Sequence, residues 1–228
     1  MQKTPLCCAL AATLSALPVA TYAYEAGDWV VRAGATHVAP NDDSGKVFTD
    51  FGALGKTGLE VSVEDDTQLG LNLVYFVRPH WAVELLAATP FNHDVNLEKD
   101  TAPLLGNGAL GDVKHLPPTL SALYYFNDSS ARFQPYVGVG INYTTFFEEE
   151  FDASRKAQGF SDLELEDSWG LAAQVGFDYQ LNERWSVNGS VRYLDIDTTA
   201  EFKLGGEASK VDVDIDPFVS SLMLGYRF

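Results

Sequence analysis

Apolar and polar residues alternate with period two along most of this chain, and the pattern is clearest at its C-terminal end. Counted back in twos, Phe228, Tyr226, Leu224, Leu222, Ser220 and Phe218 share one face of an extended segment. Arg227, Gly225, Met223, Ser221 and Val219 share the other. The first face is apolar and ends in aromatics; the second is small, mixed and carries an arginine. The same alternation predicts seven earlier strands: Trp29–His37, Thr67–Val77, one from Trp81, about His115–Phe126, Phe133–Phe147, Leu163–Leu181 and one from Trp185. In the third, Trp81, Val83, Leu85, Ala87 and Phe91 form the apolar face. In the seventh the parity slips after Tyr193, where Leu194 and Ile196 become the apolar positions. A bulge, or the point where the strand leaves apolar surroundings, explains such a slip.

The connections alternate in length. Long polar segments run over Ala39–Asp66, Asn92–Lys114 and Glu148–Asp162, the last with room for a short helix over Ala153–Gln158, and Gly205-Gly206 turns the chain into the last strand. Between them lie the short turns Arg78–His80, Asn127–Ser130 and Asn182–Arg184. Eight strands joined this way place every long connection at one end and every short turn, with both termini, at the other. That is the rule of outer-membrane barrels, with outer loops long and periplasmic turns short. The aromatics gather at strand ends, and the ten steps from Trp81 to Phe91 rise about 25 Å at ~3.3 Å each and a tilt of ~40°, the height of an apolar band. The fold expected is all-β: an eight-stranded antiparallel transmembrane β-barrel. A soluble sandwich or lipocalin-like barrel would expose the other face, which is too rich in Gly, Ser and Gln for a solvent surface. Arg32, Arg192 and Arg227 all avoid the apolar faces, as they should if those faces meet lipid.

The first 23 residues read as a signal peptide: Lys3, then apolar Leu6–Ala20, then a small-x-small site at Thr21-Tyr22-Ala23. Cleavage there leaves a chain from Tyr24 to Phe228, read as one barrel domain. Cys7 and Cys8 both fall inside the leader, so the remainder has no disulfide and no thiolate for a metal or a nucleophile. The formal charge of -17 argues against nucleic acid as a partner, because phosphates require Lys and Arg. No EF-hand spacing and no cofactor motif is present, so no metal or cofactor is expected. Histidines at 37, 80, 93 and 115 assemble no triad in the sequence; His93 and His115 are placed to face one another near the outer rim. An enzyme is not expected.

Several runs resemble one family. Glu84–Phe91, His115–Leu120 and Pro135–Phe147 look like the OmpW family, as do Asp167-Ser168-Trp169-Gly170, Asp195–Ala200 and the terminal Gly225-Tyr226-Arg227-Phe228. The likeness spans nearly all of the chain after the leader and weakens in the first loop and around Glu148–Gln158. It implies an eight-stranded barrel in the outer membrane of a Gram-negative bacterium and a role in uptake of small hydrophobic molecules.

Side chains nearly fill the lumen of an eight-stranded barrel. Arg32, Glu84, Gln174, Asp178, Arg192 and Arg227 point inward by parity and form the expected polar plug, with Gln68, Asn72 and Asn188 in the same layer. Pro90, Pro117 and Pro118 lie at similar height on strands three and four, where a missing N–H weakens the ladder. With the resemblance, this suggests a lateral outlet into lipid lined by Leu86, Leu120 and Leu123; alternatively the prolines only end pairing at the rim. A structural or surface-interaction barrel with a packed interior and no transport is the competing function. The partners expected are outer-membrane lipid, lipopolysaccharide, small hydrophobic molecules and the barrel assembly machinery, for which Tyr226 and Phe228 are the insertion signal. The acidic loops read as solvated faces, or as sites where divalent cations bridge to lipopolysaccharide phosphates.

Overall fold

The structure, a computed structural model, describes residues 24–41, 43–49, 55–56, 59–98, 106–128 and 130–228. The expected signal peptide and the tip of the second long connection around position 105 lie outside the described residues. In chain order the elements are β1 (Trp29–Ala39), β2 (Asp43–Ser44), β3 (Phe48–Thr49), β4 (Gly55–Lys56), β5 (Glu60–Val63), β6 (Asp66–Arg78), β7 (Trp81–Ala88), β8 (Phe91–Glu98) and β9 (Gly108–Leu116). They continue with β10 (Thr119–Tyr125), β11 (Phe133–Phe151), α1 (Ala153–Ala157), β12 (Phe160–Leu165), β13 (Ser168–Gln180), β14 (Trp185–Leu194), β15 (Asp197–Leu204), β16 (Glu207–Asp214) and β17 (Phe218–Arg227).

Eight strands close the barrel in the order β1, β6, β7, β10, β11, β13, β14, β17, each antiparallel to its neighbours. The terminal strand seals against the first, from Val30 opposite Arg227 to Ala39 opposite Phe218, and the Phe228 N–H donates to Trp29 O at 3.0 Å. Closure leaves none of the eight strands as a free edge, which is what a sheet needs in hydrocarbon. The outer face carries Leu69, Leu71, Leu73, Val83, Leu85, Leu120, Val137, Val139, Ile141, Leu171, Val175, Leu222 and Leu224, all exposed. Aromatic pairs bound this band. Trp29–Tyr75, Trp81–Tyr124, Phe133–Phe177 and Trp185–Tyr226 lie at the end with the short turns, while Tyr143–Trp169 and Tyr193–Phe218 lie at the other.

Beyond the upper aromatics the walls continue as β8, β9, the end of β11, β12, β15 and β16, so the long connections are largely strands rather than irregular loops. The helix expected in the third connection is α1. Here the pattern inverts. Val61, Leu97, Leu110, Phe151, Phe160, Phe202, Leu204, Val211 and Val213 turn inward and pack into one cluster. Water outside makes an apolar interior favourable in this part, whereas lipid outside leaves the barrel lumen to the polar residues.

That inversion resolves the slip read after Tyr193. Arg192, Leu194, Ile196, Thr198 and Ala200 are all buried, so the parity holds and the strand has simply left the lipid. The break is on the third strand instead. Leu86 pairs with Thr119 and Phe91 with His115, five steps on one side against four on the other. One extra residue at Thr89-Pro90 is a bulge, and it flips every side chain after it. Phe91 is therefore 1% exposed and faces the interior, not lipid as its parity with Trp81 predicted. The ten-step span of the apolar band is instead marked by Trp169 and Tyr179 on β13.

Candidate functional site, a charged plug beneath an apolar chamber

Strand alternation aims Arg32 of β1, Asn72 of β6, Glu84 of β7, Gln174 and Asp178 of β13, and Asn188 and Arg192 of β14 into the lumen, where all are buried. The Glu84 carboxylate accepts four hydrogen bonds. Arg32 Nη1 at 2.8 Å and Asn72 Nδ2 at 2.9 Å reach Oε2; Arg192 Nη2 at 2.7 Å and Gln174 Nε2 at 2.9 Å reach Oε1. Arg32 also donates through Nη2 to Asp178 Oδ2 at 2.6 Å and to the Tyr125 hydroxyl at 2.7 Å. Asn188 Nδ2 completes the set at Asp178 Oδ1, 2.9 Å away. Two guanidinium groups face two carboxylates, so the layer is neutral overall. Buried charges tolerate desolvation only when paired and hydrogen-bonded in this manner.

Below this layer an aromatic stopper closes the periplasmic end. Tyr24 stacks on Phe76 with ring centroids 4.2 Å apart, meets Tyr125 edge-on at 5.7 Å, and donates its hydroxyl to Asp178 Oδ2 at 3.1 Å. Tyr136 lies 5.0 Å from Tyr125, with the Arg32 guanidinium over its ring. Tyr24 precedes β1, so no strand period could point to it. The inward parity of Tyr125 and Tyr136 was legible, but their part in the plug was not.

Of the residues expected in the plug layer, all but Arg227 and Gln68 meet. Arg227 is the last residue of β17, half-buried at the periplasmic mouth, and its Nη1 lies 3.4 Å from Asp28 Oδ2, apart from the central network. Gln68 sits higher, near the outer end of β6, and donates to Asp66 Oδ2 at 2.9 Å. Tyr226 and Phe228 stand at the lower aromatic belt with ring centroids 4.9 Å apart.

The expected outlet residues divide. Pro90 sits exposed in the bulge of the third strand, Pro117 is buried and Pro118 exposed on the fourth. The β7–β10 ladder ends at Leu86 and Thr119 and pairing resumes only at Phe91 and His115, so 87–90 face 116–118 without matched partners. The carbonyl of Pro118 accepts from the Tyr143 N–H at 3.1 Å, so residue 118 turns its main chain toward the fifth strand. Alternation then turns residue 117 toward the third, and Pro117 is the proline that removes a donor from this wall. Leu86 is buried beside the break and Leu120 faces outward; Leu123 packs below the plug with Tyr24, Phe76 and Tyr125, out of reach of an opening at the rim.

Above the plug lies a cavity of about 40 Å³ lined by apolar side chains, among them Val38, Val95, Val113, Ile196 and Ile215, together with His93, His115 and Thr144. The two histidines stack with centroids 4.9 Å apart, and Phe91, next to Pro90, stacks on His115 at 5.5 Å. Both rings lie beyond the upper aromatic belt. Burial pushes the His93 imidazole below its ordinary range, and burial, with the neighbouring His93 adding to it, takes His115 down to about 3. Beside the upper aromatic pair Tyr193–Phe218, the carboxylate oxygens of Asp195, Asp197 and Asp216 lie within 4.8 Å of one another, donors of the kind divalent cations take. Burial first, then the charges of Asp214, Asp195 and Asp216, raise the Asp197 carboxyl. Sequence spacing did not single out this trio.

Residues 25–228 match the OmpW family. Outer membrane protein W of Vibrio cholerae is 46% identical over 228 residues, covering 100% of both chains. The crystal structure of the outer membrane protein OprG from Pseudomonas aeruginosa superposes with a TM-score of 0.84 at 46% identity, covering 91% of this chain and 98% of that one. A more distant relative, the dibenzothiophene metabolism operon protein PahQ of Pseudomonas aeruginosa, is 28% identical over 232 residues and the full length of both. A closed eight-stranded wall, an apolar outer band between aromatic belts, and full-length likeness to outer-membrane proteins agree: the chain belongs to the OmpW family and is an integral β-barrel of the outer membrane.

Proposed function

We propose that the protein admits small hydrophobic molecules from outside the cell into the chamber above the plug and releases them sideways into the membrane between the third and fourth wall strands. The observation that carries this reading is the stacking of three features: an apolar cavity, a sealed charged layer beneath it, and an unzipped stretch of wall beside it. Downward passage would separate Arg32 or Arg192 from Glu84, and breaking a buried pair costs about 3–5 kcal/mol. Sideways escape gains ~25 cal/mol per Å² of apolar surface removed from water. The name of the PahQ relative, which ties it to metabolism of an apolar aromatic compound, supports the same substrate class. The reading also takes in a leader over residues 1–23 cleaved on export, lipopolysaccharide around the outer rim, and barrel assembly machinery engaging the strand that ends at Tyr226 and Phe228.

The test is toluene uptake by cells whose only copy is wild type, Pro117→Val or Pro118→Val. Pro117→Val restores a donor toward the third strand and slows uptake; Pro118→Val restores one toward the fifth and slows it less. Wild-type rates from a normally inserted Pro117→Val barrel would leave the prolines as rim punctuation and favour a surface role without transport.

A further inference from the structure

One polar atom in the chamber has no partner. His93 is 4% exposed, and its Nδ1 lies 2.5 Å from the main-chain carbonyl oxygen of Glu64. A carbonyl oxygen only accepts, so Nδ1 carries the hydrogen, and in a neutral ring Nε2 is left as a bare acceptor. Nε2 is buried with no hydrogen-bond partner among the described residues. Burial, which outweighs the nearby acidic charges, keeps the ring neutral. The hydroxyl that lines the cavity does not serve Nε2, because Thr144 Oγ1 donates to Asn142 Oδ1 at 2.7 Å.

Buried acceptors in folded proteins are almost always paired. Water finds few partners here: an ordered buried water takes two to four, and beyond the His115 ring and Thr144 Oγ1 the lining is valine, isoleucine, leucine, phenylalanine and proline. The cavity of about 40 Å³ exceeds the ~10–15 Å³ one water needs. It suits the donor-bearing end of a larger apolar molecule. Building on the uptake reading above, we propose that His93 is a hydrogen-bond hook in the chamber, and that the preferred solutes are small uncharged molecules with an apolar body and one hydroxyl or N–H donor rather than pure hydrocarbons. The donor pairs with Nε2, the body lies against Val38, Val113 and Ile196, and the His115 ring stacked on His93 holds the hook in place.

Benzyl alcohol and toluene differ mainly by the hydroxyl and make the test. With the full barrel in lipid bilayers, titration followed by imidazole ¹⁵N resonances should move the His93 Nε2 signal for benzyl alcohol and not for toluene. Affinity should favour the alcohol by about tenfold, the worth of one net hydrogen bond. His93→Phe, which keeps an aromatic ring against His115, should abolish that preference while still binding both; His93→Leu serves if the first variant does not insert. Equal wild-type affinities, an unmoved Nε2 signal, or a preference surviving in the variant would overturn the hook, yet the uptake reading would stand so long as both compounds enter faster through the barrel. If neither compound binds and neither enters faster, both fall together.

Discussion

Arg32 Nη1 lies 2.8 Å from Glu84 Oε2 with both side chains out of reach of water, and Glu84 Oε1 takes Arg192 Nη2 from the other side at 2.7 Å. One carboxylate thus bridges two guanidinium groups, and Asp178 on Arg32 supplies the second negative charge. Glu84→Gln keeps the shape and removes the charge, leaving Arg192 without its counter-ion. It should cost about 3–5 kcal/mol, the range for breaking a buried pair. Urea unfolding in lipid vesicles, followed by tryptophan fluorescence, measures the loss. A midpoint unchanged from wild type would mean that the layer is not held by its charges.

Tyr24 makes a second, smaller claim on stability. Its ring stacks on Phe76 and its hydroxyl reaches Asp178. Tyr24→Phe keeps the stack and should cost about 1 kcal/mol for the hydrogen bond; Tyr24→Ala also removes the ring and should cost about 3–5 kcal/mol. The same unfolding experiment separates the two. Equal, small losses would place the aromatic stopper outside the cooperative unit.

Much of this arrangement was legible in strand alternation. Arg32, Glu84, Gln174, Asp178 and Arg192 converge because period two within a closed wall leaves them no other direction. Phe91 was misplaced because a one-residue bulge leaves no mark in local alternation; only matching Leu86–Thr119 against Phe91–His115 across two strands exposes it. Val61, Leu97, Leu110, Phe151 and Phe160 lay in what read as long polar connections, since their apolar face points inward where the barrel strands point theirs outward. Tyr24 had no pattern to belong to. The stacking of His93 on His115 was foreseen as proximity, but the bare Nε2 depends on the Glu64 carbonyl, which no residue type announces.

The buried histidines give the outer part a pH dependence. An unfolded chain takes up a proton on His115 near 6.5, whereas the folded form holds it off until about 3. The unfolded state therefore binds more protons between these values, so stability is complete above pH 6.5 and falls as the pH drops through that window. Each pH unit inside it costs up to about 1.4 kcal/mol. His93, lowered by burial too, adds in the same direction. Urea midpoints measured from pH 7.5 to 4.5 should fall more for wild type than for His115→Phe. Parallel curves would assign the acid sensitivity to other groups.

On the proposed route solutes leave through the wall between the third and fourth strands, and a reversible tie across that wall should close it. Ala88→Cys with Pro117→Cys places one thiol on each side of the unpaired stretch. Toluene uptake should drop several-fold when the pair is oxidised and return on reduction to the rate of the Pro117→Cys single variant. Equal rates before and after reduction, in a barrel shown to be inserted and cross-linked, would contradict the lateral route.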